Sequence, residues 1–182
     1  MRSCVLALCG LVALASGAHA QTNKSILTGL DLMSATVLQE GQSSFSGLGL
    51  RGRLHPGSLV QDFEFLPSIE YWRNSSTVPP YSIRATRKDA TLGMDARYIF
   101  HPKGWQPYVG GGYAVHFLSS RVNAPTLGLD DASDSVVKGG LAALAGVTFG
   151  LSPRLDNFLE LKYHHVPGYR QLKINWGLAI KL

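Results

Sequence analysis

Residues 172–182 alternate without a break. Leu172, Ile174, Trp176, Leu178, Ile180 and Leu182 fall on one face, and Lys173, Asn175, Gly177, Ala179 and Lys181 on the other. A period of two belongs to a strand, not a helix. The length and the wholly apolar face suit a strand tilted across a hydrocarbon core roughly 30 Å thick. A single strand cannot satisfy its own backbone there, so the rest of the chain must close a sheet around it.

The amino terminus follows a different pattern. Arg2 precedes a short apolar run from Cys4 to Ala15, and Ala18-His19-Ala20 has the small-x-small form of a secretory cleavage site. Residues 1–20 are therefore expected to be a signal peptide removed on export, leaving residues 21–182 as one domain; the run is too short for a helical anchor. Cys4 and Cys9 leave with it, which removes disulfide and thiolate chemistry from the mature chain. No uninterrupted apolar stretch is long enough for a membrane helix, and the best candidate, 139–151, is broken by glycine. The formal net charge of +5 falls by one with Arg2. With no lysine-arginine block, this mild excess suits anionic lipid heads and argues against nucleic acid.

Seven further segments carry the same period: 25–33, 45–54, 63–72, 89–100, 106–117, 136–149 and 158–165. In 89–100, for example, Ala90, Leu92, Met94, Ala96, Tyr98 and Phe100 oppose Asp89, Thr91, Gly93, Asp95 and Arg97. Pro67 should mark a bulge or a broken ladder bond, and Gly110-Gly111-Gly112 should let a curved strand bend. The connections alternate in length. His55-Pro56-Gly57, His101-Pro102-Lys103-Gly104 and Leu151-Ser152-Pro153-Arg154 carry turn chemistry, whereas 34–44, 73–88 and 118–135 are long and polar; the last connection is brief. Short turns at one end and long loops at the other predict an all-β fold, an eight-stranded antiparallel up-and-down transmembrane β-barrel.

Alternation alone does not say which face looks outward. Phe63, Phe100, Tyr108, Phe149 and Phe158 fall near the short turns, and Phe45, Tyr71, Phe117 and Tyr163 near the long loops. Two aromatic bands are what membrane interfaces select. The polar face carries Asp31, Glu64, Glu70, Asp89, Asp95 and Glu160 against Arg51, Arg53, Arg97, Lys138, Lys162, Lys173 and Lys181. A charge facing lipid at mid-bilayer costs about 2–4 kcal/mol, so these must point inward. The interior of an eight-stranded barrel is just wide enough for side chains, and mixed charges there should interlock and plug it.

Pro107-Tyr108-Val109-Gly110-Gly111-Gly112, Leu159-Glu160-Leu161-Lys162-Tyr163-His164-His165 and the alternating terminus give the mature chain its resemblance to small outer-membrane β-barrels of the OmpA/OmpX type, often grouped as outer-membrane β-barrel-domain or porin-family proteins. The resemblance implies a bacterial outer-membrane location and insertion by the barrel-assembly machinery. Such barrels usually end in an aromatic residue, whereas this chain ends in Leu182.

Gly47-Leu48-Gly49-Leu50-Arg51-Gly52 matches a dinucleotide fingerprint by letter but lies within a strand pattern, without the helix that would meet a pyrophosphate. His164 and His165 loosely resemble the region where lipid A deacylases keep a catalytic histidine. Those enzymes place a serine two residues later, where this chain has Val166 and Pro167; Ser119, Ser120 and Glu160 are the alternative partners, and strand-end histidines without a nucleophile are the favoured reading. Asp130, Asp131 and Asp134 lack the ligand spacing of a calcium loop and read as a solvated loop, and Asn74-Ser75-Ser76 is a sequon by letter alone. Arg84, Arg87 and Lys88 in the second long connection are placed to meet lipopolysaccharide phosphates.

The expected function is therefore structural or surface-interacting, exerted through long extracellular loops on lipopolysaccharide, host surfaces or envelope partners, with no catalytic, cofactor or metal residue assigned. The competing readings are a lipid A deacylase-like hydrolase and a soluble lipocalin-like carrier whose apolar face lines a cavity.

Overall fold

The computed structural model describes residues 26–39, 44–56, 62–78, 83–100, 104–124 and 129–182. The expected signal peptide lies outside the described residues. Eight strands follow in order: β1 (Leu27–Gln39), β2 (Phe45–Leu54), β3 (Phe63–Val78), β4 (Ile83–Ile99), β5 (Trp105–Ala124), β6 (Leu129–Ser152), β7 (Leu155–Val166) and β8 (Tyr169–Lys181). Each pairs antiparallel with the next, and β8 closes on β1 from Gly29↔Lys181 to Gln39↔Gln171. The fold is the expected up-and-down barrel.

The two faces also fall as expected. Leu92 is 49% exposed and Leu178 37%, whereas Asp95 is 1% and Lys173 0% exposed. The apolar face therefore looks outward and the ionised face inward. On β4 the outward belt runs from Ala90 to Phe100. At roughly 3.3 Å per residue and a tilt near 40° that is about 25 Å, the height of the apolar band on outer-membrane barrels.

Three aromatic assignments are corrected. Phe63, Phe100 and Phe149 at one rim and Tyr71, Phe117 and Tyr163 at the other do face outward, but Phe45, Tyr108 and Phe158 are buried in the lumen. Parity explains it. Phe158 stands two residues from Glu160 and Tyr108 two from Gly110, while Phe45 shares the face of Arg51 and Arg53. Strand position placed these rings at an interface; strand phase turns them inside.

The larger correction concerns the long loops. Residues 34–39 continue β1, and the pairs from Arg73↔Lys88 to Val78↔Ile83 and from Leu118↔Val136 to Ala124↔Leu129 extend both central hairpins. These segments are polar yet rich in Ser, Thr and Val, and polarity alone does not end a strand whose outer half stands in water. The β2–β3 pairing stops at Gly47↔Trp72 and the β6–β7 pairing at Leu141↔His165. Beyond these points β3 to β6 continue as a four-stranded sheet, and among the described residues no strand pairs with the outer edge of β3 or of β6.

Pro67 interrupts rather than bulges. The β2–β3 ladder lapses opposite it and resumes at Leu54↔Phe65 in the register of Arg51↔Ser68, while the β3–β4 ladder is continuous. Glycine matters most where strands crowd or turn. A Cβ on Gly110 would lie 2.9 Å from Arg97 Cα, so glycine lets β5 and β4 close over the Arg97 side chain. Gly168, at φ 75°, occupies the left-handed region in the Pro167-Gly168 turn between β7 and β8.

Candidate functional site

The lumen is built in layers from inward-facing residues of all eight strands. Near the end holding the carboxyl terminus, β2 supplies Arg51 and Arg53. Arg51 donates from Nε to Asp31 (2.8 Å) and from Nη1 to Glu160 (2.7 Å), and Arg53 Nε donates to the other Asp31 oxygen (2.6 Å). Glu160 also accepts from the Tyr108 hydroxyl and from Asn175 Nδ2, each at 3.0 Å. The displaced rings serve this layer: Arg51 lies 4.8 Å from the Phe158 centroid and Arg97 4.4 Å from that of Tyr108. Arg97 also donates twice to Glu64 Oε2, at 2.9 and 2.5 Å.

Asp156 was missed because its strand was expected to begin at 158. It is buried and accepts Lys181 at 2.7 Å, with Arg53 at 4.0 Å. Lys181 itself is half exposed at the rim, and Lys138 bonds the Pro167 carbonyl outside the core network at 3.0 Å, so these two expected lumen cations sit at the margins.

In the middle layer Lys162 donates to Glu70 (3.1 Å) and Asp95 (2.7 Å), and Lys173 donates to the second Glu70 oxygen. Above it, Asp89 accepts from His116 Nδ1 (2.8 Å), the Tyr169 hydroxyl (3.1 Å) and Thr91 (3.2 Å). The other His116 nitrogen, Nε2, lies 3.1 Å from His164 Nδ1, within hydrogen-bonding distance. Phe45, Trp72, Ala35 and Val37 then form an apolar layer, with Leu118 and Tyr169 packed against it. Phe45 and Trp72 pack with ring centroids 4.4 Å apart and planes tilted by 45°.

The structure separates the residues considered for catalysis. His164 is buried against His116, whereas His165 is exposed on the outer face of β7. Ser119 is exposed on β5, and Glu160 belongs to the Arg51 layer. Among the described residues no serine hydroxyl bonds either histidine. His164 is thus a network member rather than an ordinary strand-end residue. The available signal was its shared parity with Glu160 and Lys162. Asp130, Asp131 and Asp134 lie in β6, not in a loop, and Gly47 to Gly52 lie in β2. No group of potential metal ligands occurs among the described residues.

Outside the barrel proper, the extension of β3 to β6 gathers Arg73, Arg84, Arg87 and Lys88. Strand phase divides the expected cluster. Arg87 shares the inward parity of Asp89 and borders a cleft of about 330 Å³ over Trp72, Leu118 and Tyr169. Arg84 and Lys88 take the opposite face.

With this geometry in hand, comparison with solved structures is decisive for the fold. Ail, the attachment invasion locus protein of Yersinia pestis, solved in complex with the heparin analogue sucrose octasulfate, superposes with TM-score 0.62 at 15% identity, covering 85% of this chain and 97% of Ail. The chain has the fold of the small eight-stranded outer-membrane barrels. Neisserial surface protein A matches with TM-score 0.61 at 19% identity, over 85% and 96% of the two chains. The N-terminal β-barrel domain of Pseudomonas aeruginosa OprF matches with TM-score 0.54 at 13% identity, over 86% and 98%. No protein-family model matches the sequence, and comparison with curated protein sequences finds no match.

Proposed function

We propose that this protein is a non-enzymatic integral barrel of the bacterial outer membrane, exported by a signal peptide cut after Ala20, with a role in surface contact. The observation that carries the reading is the inversion of polarity, with an apolar belt facing outward and paired charges filling the axis. That arrangement is stable in lipid and unfavourable in water. It also disfavours the lipocalin-like alternative, which needs the apolar face around a cavity.

The ion network closes the lumen to diffusion, since its members occupy the axis at successive levels and are held by one another. Contact is made by the sheet that β3 to β6 carry beyond the barrel, in place of the long loops expected from sequence. Its faces offer cations, and its edges, where no strand pairs among the described residues, offer backbone to a partner. Neighbours that are an attachment protein and a surface protein by name, one of them bound to a polysulfated ligand, support this direction. Outer-leaflet lipopolysaccharide and an envelope or host-surface component are the proposed partners, with the barrel-assembly machinery acting during insertion.

The test is fractionation of the expressed protein, with boiled and unboiled samples compared on a gel and the amino terminus sequenced. Recovery in the outer membrane, heat-shifted mobility and a terminus at Gln21 are expected. Recovery in the aqueous phase without detergent would refute the membrane assignment. Planar-bilayer recording tests closure: large steady conductance would show the axis to be open.

A further inference from the structure

The outer surface of the extension carries cations at a height set by register. The last apolar rung of the belt on these strands is Tyr71, Ala90, Phe117 and Val137, placed side by side by the pairs Tyr71↔Ala90, Ala90↔Phe117 and Phe117↔Val137. Two residues further out, the next rung on the same face is Arg73, Lys88, Ser119 and Ser135, again paired directly. The rung after that brings Thr86 against Arg121 and Arg121 against Ser133. Successive rungs stand about 6–7 Å apart along the strand, so Arg73 and Lys88 lie at headgroup level, just above the aromatic rim.

Arg73 and Lys88 are like charges directly opposite one another, an arrangement that destabilises a sheet. Neither has an acidic partner among the described residues. They border an outward cleft of about 300 Å³, joined by Arg121 and the hydroxyl-bearing Thr86 and Ser119; the one acid at its edge, Asp134, has the opposite phase, that of Arg87.

We propose that this cleft binds a phosphomonoester of an outer-leaflet glycolipid. Arg73 and Lys88 hold the phosphate, and Arg121 and the hydroxyls close over it. The site rests on the outer-membrane reading above and gives it a specific occupant. A phosphomonoester carries enough negative charge to offset both cations, its oxygens exceed what they can bond, and hydroxyl donors stand beside them. Its acyl chains would run down past Tyr71 and Phe117, which a soluble anion could not exploit. The placement also redraws the group expected from sequence. Arg87 has the opposite phase, and Arg84 lies four residues beyond Lys88, about 13 Å along the strand and past the roughly 8 Å Debye length of physiological salt.

The experiment uses the full processed protein folded in zwitterionic detergent, with bound lipid counted by native mass spectrometry and heat-shifted mobility checked on every sample. Three probes are compared: bisphosphorylated lipid A, the same lipid after removal of its phosphates, and inorganic phosphate. The phosphorylated lipid is expected to be retained and the dephosphorylated one to bind at least about tenfold more weakly. One basic residue at an anionic surface is worth about fivefold, so the Arg73→Ala/Lys88→Ala double variant should lose on the order of twentyfold. Arg84→Ala should change binding less than about twofold. Lys88→Gln alone should lose about fivefold, and this arm decides the matter if the double variant loses its heat shift. Equal retention of the two lipids, or unchanged binding by a folded double variant or by a folded Lys88→Gln variant, would overturn the site. Inorganic phosphate competing on equal terms with the lipid would also overturn it, by making the cleft a free-anion site. Failure of the wild-type protein to insert or heat-shift would instead refute the membrane reading on which the site rests.

Discussion

The cations inside the barrel and those on its extension stand in opposite circumstances. Arg51, Arg53, Arg97, Lys162 and Lys173 are buried, each bonded to at least one carboxylate. Arg73, Arg84, Arg87 and Lys88 stand beyond the belt with no acidic partner among the described residues. The difference follows from the surroundings of each region. Between the rims, lipid on one side forbids outward charge, and the cost of desolvation on the other obliges every inward charge to find a counter-charge. Beyond the rims water solvates both faces, and a cation need not be paired within the protein. Interior charge therefore holds the barrel together, while exterior charge is free to engage a ligand.

The sharpest way to break this contrast is to remove an interior acid. Glu160 takes Arg51, Tyr108 and Asn175, so Glu160→Ala removes one of the two carboxylates on a buried guanidinium and takes the acceptor from two further polar groups. Loss of one partner of a buried pair costs about 3–5 kcal/mol, and the variant should unfold from lipid vesicles at a much lower urea concentration. A loss below about 1 kcal/mol would mean that Arg51 is satisfied by Asp31 alone and that the layers are less interdependent than their geometry implies.

A smaller effect is expected from placing a charge on the wrong side of the same strand. Leu178 faces outward near mid-belt, while Lys173 on the other face is fully buried against Glu70. Leu178→Lys should destabilise the folded barrel by about 2–4 kcal/mol in the same vesicles, although β8 already carries lysine. An unchanged midpoint would show that this position does not meet the hydrocarbon.

These two substitutions also mark what sequence could reveal. Strand number, the outward face and most of the lumen acids and bases were legible because lipid imposes a period of two that few residues can break. That grip ends at the rim. Ser75, Thr77 and Thr86 share the outer face with Arg73, but Asn74, Ser76 and Arg87 make the other face polar as well, so no period of two marks the extension as strand; pairing joins Ser75 to Thr86 and Thr77 to Arg84. The Asp89, His116 and His164 chain was hidden for another reason: it joins β4, β5 and β7, and their relative heights depend on hairpin register. Phe45, Tyr108 and Phe158 were misplaced because nearness to a turn was given more weight than parity, although parity already set Tyr108 on the polar face.

The smallest expected effect sharpens the comparison from the exterior side. Arg73 faces Lys88 across the ladder with no counter-charge among the described residues, so Arg73→Ser removes repulsion without stranding a partner. In purely zwitterionic vesicles the variant should unfold within about 0.5 kcal/mol of wild type, on the stabilised side, because like charges directly opposite weaken a sheet. In vesicles containing phosphorylated lipid A the sign should reverse, since a ligand that binds only the folded barrel adds stability in proportion to its occupancy and the variant binds it less well. Urea titrations of both proteins in both lipids measure the four midpoints needed. Destabilisation of equal size in the two lipids would show that Arg73 supports the fold itself, and the contrast between structural charge within and available charge without would fail at the residue where it is most exposed to test.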